Sequence, residues 1–496
     1  MKRLIGLLLV MVLALPGMAA AQEKPALSAV FGGNVQSFLE GEDENNNYII
    51  RYIEEQSGAD LNWIVLPQNA EDATTKLNVM MTSNTPDIIF TGSRDTFLNF
   101  YNEGMLQKLD DYLPAGYLPA DVEAVADVGV VDGGKYAVAT PGNQSAVTNI
   151  WMYNKELLSA AGIEVPETVT LADFTNILYA VKQAYPDKIP LSAAGNGSTQ
   201  WLNGLQFIYS AYGIANEYRI SADSSLEYAF TSEDMKECQA YIAKLYADGI
   251  LDKEYLVTTK DTLLAKITNN EVVTVGAAWY DYTGAYRNVM ADDEGKGALT
   301  KWGQCSIIHG DRATSGQTQG SRTQYYCMIS YKCKDVQAAL NVIRVMCTDD
   351  FYRICMYGQE GVDYVYDANG KRKRTDSVIG KAFSTSGAQF YVYYYIKETR
   401  DLRLDRLGMS QSDERLGNSQ WAFYNAKEVD DPLEQMPNIP EYAEYTPDLR
   451  DLAGTWFVKF LMGDAPIDDF SKYTAEYDAL GGPVLLNTLN DWYVNR

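Results

Sequence analysis

The apolar positions of this chain alternate between two rhythms. Short continuous runs at residues 27–31, 61–66 and 86–90 read as buried strands. Between them, Tyr48, Ile49, Tyr52 and Ile53 fall on one face of a helix that Gly58 stops, and a second helix lies around residues 72–81. Downstream, Thr170 is placed to cap a helix, with Asp173 in the acidic position of a capping box. Leu171, Phe174, Ile177, Leu178 and Val181 share that helix's apolar face. Residues 272–278, β-branched or small, form another buried strand, and 335–347 an amphipathic helix. Asn369-Gly370 marks a hairpin turn, and the basic run 371–374 reads as a solvated strand end. Strands alternating with helices predict an α/β protein with parallel sheets and crossover helices. A chain of 496 residues exceeds one such core. Two α/β lobes facing each other would leave a cleft beyond the carboxyl ends of their strands.

The first residues change the compartment. Lys2 and Arg3 precede an apolar run from Leu4 to Leu15, broken by Pro16-Gly17 and followed by Ala19-Ala20-Ala21. This is the layout of a secretory signal peptide over 1–21, too short for a transmembrane helix of roughly 20 residues. The formal charge of −25 becomes −27 after cleavage, an acidic balance that repels nucleic acid and anionic lipid. Six cysteines without a CxxC motif argue against a zinc or redox site, and their apolar surroundings favour buried free thiols over bridges. The single histidine, His309, sits in a Gly/Asp-rich loop and reads as an exposed loop residue.

Aromatic residues then shape the functional reading. The chain has 36 Tyr and 8 Trp. Such side chains offer an apolar face with a polar handle, which suits the C–H faces and hydroxyls of sugars. Trp201 lies in a polar loop, Trp279, Tyr280 and Tyr282 follow the 272–278 strand, and Tyr393 and Trp421 lie in further aromatic clusters. Core packing is the competing fate for each. No G-x-S-x-G, H-E-x-x-H, Walker A or EF-hand pattern occurs. Carboxylates are too numerous to exclude a glycosidase by counting. A secreted glycan hydrolase or lyase, a receptor for a non-sugar solute and a surface adhesion protein therefore remain alternatives.

Several motifs, in order along the chain, resemble extracellular solute-binding protein family 1, which serves ABC importers. They are Thr85-Pro86-Asp87-Ile88-Ile89-Phe90, Gly104-Met105-Leu106 with Leu109-Asp110-Asp111-Tyr112-Leu113, and Trp151-Met152-Tyr153-Asn154-Lys155 followed by Ala161-Gly162 and Val165-Pro166-Glu167-Thr168. Tyr357-Gly358-Gln359-Glu360-Gly361, Phe460-Leu461-Met462-Gly463-Asp464 and Trp492-Tyr493 are similar to an oligosaccharide-type branch. The resemblance implies a two-lobed periplasmic-binding-protein-like fold (type II) with the ligand cleft between lobes. It implies chain crossings near Thr148, Asp311 and Lys371, hence a first lobe of 22–147 with 312–372 and a second of 148–311 with 373–496. It implies a monomeric receptor, not an enzyme, that takes a carbohydrate to ABC importer membrane subunits, with no cofactor. As ligand-binding residues it implies Asn34, Ser37, Thr91, Ser93, Arg94, Trp201, Trp279, Arg322 and Glu360, to which the reading of the loop aromatics adds Tyr280, Tyr282, Tyr393 and Trp421. Two departures stand out. Met18 follows Leu15-Pro16-Gly17 where many relatives carry a lipid-bearing cysteine, and Pro186-Asp187-Lys188 runs straight into Ile189-Pro190-Leu191 where some carry a calcium loop, so no metal is expected there.

Overall fold

The computed structural model describes residues 24–31, 38–67, 70–142, 149–197, 201–278, 281, 301–305, 307–312, 317–318, 322–368, 370, 372–379, 395–399, 401–402, 428–434 and 436–496. The protein is built on two separate sheets, each with its own core. The first has five strands in the order Asp60–Val65, Ala26–Phe31, Ile88–Thr91, Thr323–Ile329, Ala137–Pro141. Thr323–Ile329 runs antiparallel to both its neighbours, and the other four strands share one direction.

Local chemistry explains these elements. Ile88, Ile89 and Phe90 are all buried, as a strand covered on both faces requires. Asp87, just before them, accepts from the Ser28 backbone N and Oγ, each at 2.8 Å, and so ties two adjacent strands together. The predicted helix is Tyr48–Ser57. Asn47 caps it by accepting from the Ile49 and Ile50 N–H groups, and Gly58 ends it at φ 76°. Its buried Ile49, Ile50 and Ile53 pack with Trp63, Phe90 and the helix Val336–Met346 in the first core.

The second sheet has four strands in the order Trp302–Cys305, Asn149–Asn154, Val272–Ala278, Ile189–Ala193. Val272–Ala278 is buried throughout and pairs in parallel with Ile189–Ala193. The Thr170–Asp173 capping box forms on both sides, and helix Leu171–Ala184 buries Phe174, Ile177, Leu178 and Val181 against this sheet's core. Helix Pro440–Met462 adds Leu449, Trp456, Phe457 and Phe460 to the same core. All six cysteines are free and buried. None of the described helices is long and apolar enough to cross a membrane.

The chain passes from the first sheet to the second between Gly142 and Asn149, and back between Arg312 and Arg322. The third crossing does not lie at Lys371. Arg372–Arg374 pairs antiparallel with Tyr364–Tyr366, while Ile396 and Leu402 are buried in the first core. Lys397, 2% exposed, bridges Asp121 and Asp349 at 2.7 Å each, and the Glu398 carboxylate accepts from Tyr352 at 2.6 Å. These buried charges hold the segment because their partners lie in the first lobe, so that part of 373–496 belongs there. Described residues of the second core resume at Leu433, Met436 and Ile439. Glu428–Val429 pairs in parallel with Gln317–Thr318, joining the second crossing to the third.

Candidate functional site

In the second sheet the parallel strands end at Ala193 and Ala278, and the antiparallel neighbour begins at Asn149. All three points lie on one edge. The first crossing enters the second sheet at that edge, from the carboxyl end of the strand Ala137–Pro141 in the first. A cavity of about 350 Å³ opens there, lined by Asn149, Asn196, Asn203, Gln206, Lys260 and Asp281 among others. Its floor depends on two glycines. A Cβ on Gly276 would lie 2.1 Å from the Gly204 carbonyl oxygen, and one on Gly204 would lie 2.7 Å from the Ala193 Cβ. Only bare backbone allows the 201–206 loop to seat on the strand ends.

The loops that carry the polar side chains are fastened from below. Asn196 donates its backbone N–H to the Thr258 carbonyl at 3.1 Å, and the Tyr255 hydroxyl donates to the Asn203 carbonyl at 2.7 Å. Beneath them Lys266 reaches Asp252 at 2.7 Å and Glu254 at 2.8 Å, and the Ser192 hydroxyl donates to Asp252 at 2.7 Å. Lys266 pays for its burial in desolvation, which lowers its pKa. Its hydrogen bonds to Asp252 and Glu254 outweigh that and leave the pKa above the ordinary lysine value.

Asp281 is 7% exposed. Burial raises its pKa, opposed by Lys260, whose Nζ stands 3.2 Å away. Gln206 Oε1 is buried with no hydrogen-bond partner among the described residues. The cavity is therefore lined by neutral amide side chains together with two buried acceptors, Asp281 and Gln206 Oε1. Such a set can meet the hydroxyl groups of a small molecule. Among the described residues no group of three or more His, Cys, Asp or Glu side chains is arranged to hold a metal ion.

Of the expected site residues, the six that are described, Thr91, Ser93, Arg94, Trp201, Arg322 and Glu360, do not line this cavity. Ser93 caps the helix Arg94–Asn102 by accepting from Thr96 N, and Thr91 Oγ1 accepts from Ser93 N at 3.0 Å. Arg94 donates to the carbonyls of Met436 and Pro437. Arg322 grips Asp127 with two bonds of 3.0 and 3.2 Å, and its backbone N–H meets Glu434 at 2.8 Å. Glu360 is exposed beside the hairpin of Tyr364–Tyr366 in the first lobe. Trp201 is half-buried, set edge-on against Tyr209 and Phe230 with ring centres 5.0 and 4.7 Å away, so its ring packs on the second core. Asn34, Ser37, Trp279, Tyr280, Tyr282, Tyr393 and Trp421 lie outside the described residues. Asn149, Asn196, Gln206 and Asp281 escape sequence reasoning. The available signal is positional, since each stands just before or after a buried strand or at a helix start.

The sequence model of bacterial extracellular solute-binding proteins matches residues 49–357, more than half of the chain. The chain belongs to that family. One curated relative of this solute-binding protein is the fructooligosaccharide ABC transporter substrate-binding protein FusA of Streptococcus pneumoniae. It is 26% identical over 271 residues, which are 49% of this chain and 48% of FusA. The match thus spans about half the length of the curated relative. Among solved structures, FusA in complex with kestose superposes with a TM-score of 0.70 at 17% identity, covering 95% of this chain and 99% of that one. The alginate-binding protein AlgQ2 without calcium ion gives 0.71 at 14% identity, covering 96% and 99%. An HMO-binding, ABC-transporter-associated solute-binding protein from Bifidobacterium longum infantis gives 0.70 at 14% identity, covering 95% and 99%. The solute-binding protein shares their two-lobed α/β fold.

Proposed function

We propose that this solute-binding protein is an exported receptor that holds an oligosaccharide between its lobes and delivers it to an ABC importer. The observation that carries this reading is the cavity at the strand ends of the second lobe, lined by amide side chains and two buried acceptors, Asp281 and Gln206. Sugar hydroxyls donate and accept in the same way. The likeness to FusA, a fructooligosaccharide transporter subunit, supports the same class of solute. Trp279, Tyr280 and Tyr282 flank Asp281 in sequence and are the candidates for stacking on a sugar face. In this reading the 1–21 segment directs export, the receptor acts as a monomer, its partners are the importer's membrane subunits, and it performs no chemistry on its cargo.

Titration calorimetry of the purified chain against a panel of oligosaccharides tests the proposal. Heat with at least one glycan is expected. Heat with a peptide or a lipid, and none with any sugar, would overturn the carbohydrate part. Chromatography of glycans after long incubation should return them unchanged, and cleavage products would favour a hydrolase or lyase.

A further inference from the structure

We infer that the second-lobe cavity takes an end unit of a neutral glycan and discriminates against an end unit that carries a carboxylate or sulfate. The inference rests on the receptor reading above and narrows its solute. Its first support is the sign of the cavity's hydrogen bonding. Asp281, 7% exposed, presents a carboxylate, and Gln206 presents a buried Oε1 with no partner among the described residues. Gln206 Oε1 requires a donor, and the Asp281 carboxylate, which accepts from Lys260 at 3.2 Å, can take a further one. A sugar hydroxyl supplies an O–H to each, whereas an ionised acid supplies none and is repelled by Asp281. The second support is the cation. Lys260 lines the same cavity, and its ammonium lies 3.2 Å from Asp281. An anionic sugar would have to draw Lys260 away and leave a buried carboxylate uncompensated. The third is the remainder of the polar lining. Asn149, Asn196 and Asn203 line the cavity and bring no net charge, so nothing in this part of the polar lining favours an ionised group. The fourth is size. A volume of about 350 Å³ lies near the lower bound of small-molecule pockets, roughly 300–1,000 Å³, so it suits one end of a longer chain.

The experiment uses the full chain and matched probes. One is a neutral oligosaccharide bound in the panel, and the other is the same molecule with the primary alcohol of its terminal unit oxidised to a carboxylate. At pH 7 the oxidised probe is expected to bind about tenfold or more weakly, the scale of one lost or opposed buried hydrogen bond. Asp281→Asn should weaken the neutral probe and narrow the gap between the two. Gln206→Met removes the other acceptor and should also weaken the neutral probe by several-fold. Melting curves of both variants must match the parent. Equal or tighter binding of the oxidised probe, or unchanged affinity in both folded variants, overturns the inference and leaves the receptor reading standing. Failure of every glycan, neutral or acidic, to bind overturns both.

Discussion

Replacing Lys266 by Met isolates the buried network that supports the cavity. The lysine side chain is 7% exposed and that of Asp252 only 3%, with 2.7 Å between Nζ and Oδ2. Glu254, the other partner, is 69% exposed and can return to water. The variant leaves Asp252 buried with the Ser192 hydroxyl and no cation. Breaking a buried pair from one side costs about 3–5 kcal/mol. In a lobe of roughly 150–250 residues each kcal/mol moves Tm by about 2–4 °C, so a fall on the order of 10 °C is expected. Differential scanning calorimetry of the full chain reads it, with each lobe's transition fitted separately. The double variant Lys266→Met, Asp252→Asn should recover part of the loss, because no ion then remains buried. The pH dependence has a defined sign. The folded pKa of Lys266 is raised, so its contribution is complete below the unfolded lysine value near 10.4 and is lost as pH rises through the folded value. The gap between variant and parent should be full at pH 7 and shrink in strong alkali. A single variant melting within about 2 °C of the parent at pH 7 would refute the reasoning.

Three other outcomes are expected. Gly276→Ala pushes a Cβ to 2.1 Å from a backbone oxygen, so it should cost about 1–3 kcal/mol or more and abolish glycan binding in calorimetry. Trp279→Ala should weaken binding by about 1 kcal/mol without lowering Tm, and unchanged affinity would place the ring in packing alone. The six thiols should be silent to a thiol reagent in the native protein and all titrate after denaturation. Burial supports this by raising the pKa of Cys305 and Cys333 to about 11 and of Cys347 to about 12. A fast-reacting thiol in the folded chain would contradict it.

What was legible in the sequence was local. The capping box at Thr170, the stop at Gly58 and the buried run after Asp87 depend on residues within a few positions of one another, and all three appear as expected. Alternation of strand and helix led to two α/β lobes. It did not lead to the antiparallel insertion of Thr323–Ile329 between Ile88–Thr91 and Ala137–Pro141, whose partners lie far off in sequence. The same distance hid the fate of the expected site residues. Arg94 looked free for a ligand, yet its acceptors are carbonyls more than 340 positions away. Lys397 and Glu398 fall in the 373–496 segment expected in the second lobe, and they are buried in the first by partners from two separate segments, Asp121 and the helix Asp349–Tyr357. Trp201 was expected to stack on a ligand because its loop is polar, and in the structure its ring meets Tyr209 and Phe230 in T-shaped contacts.

The interleaving of the lobes also dictates an order of assembly. The first sheet lacks a strand until residue 329 exists, and its core lacks Ile396 and Leu402 for longer still. The second core waits for Trp456, Phe457, Leu485 and Leu489, at the far end of the chain. A polypeptide emerging from its amino terminus therefore presents two incomplete hydrophobic faces for most of its passage, and neither can bury itself alone. The described core of the first lobe is complete only once residue 402 has been made, and that of the second only once residue 489 has.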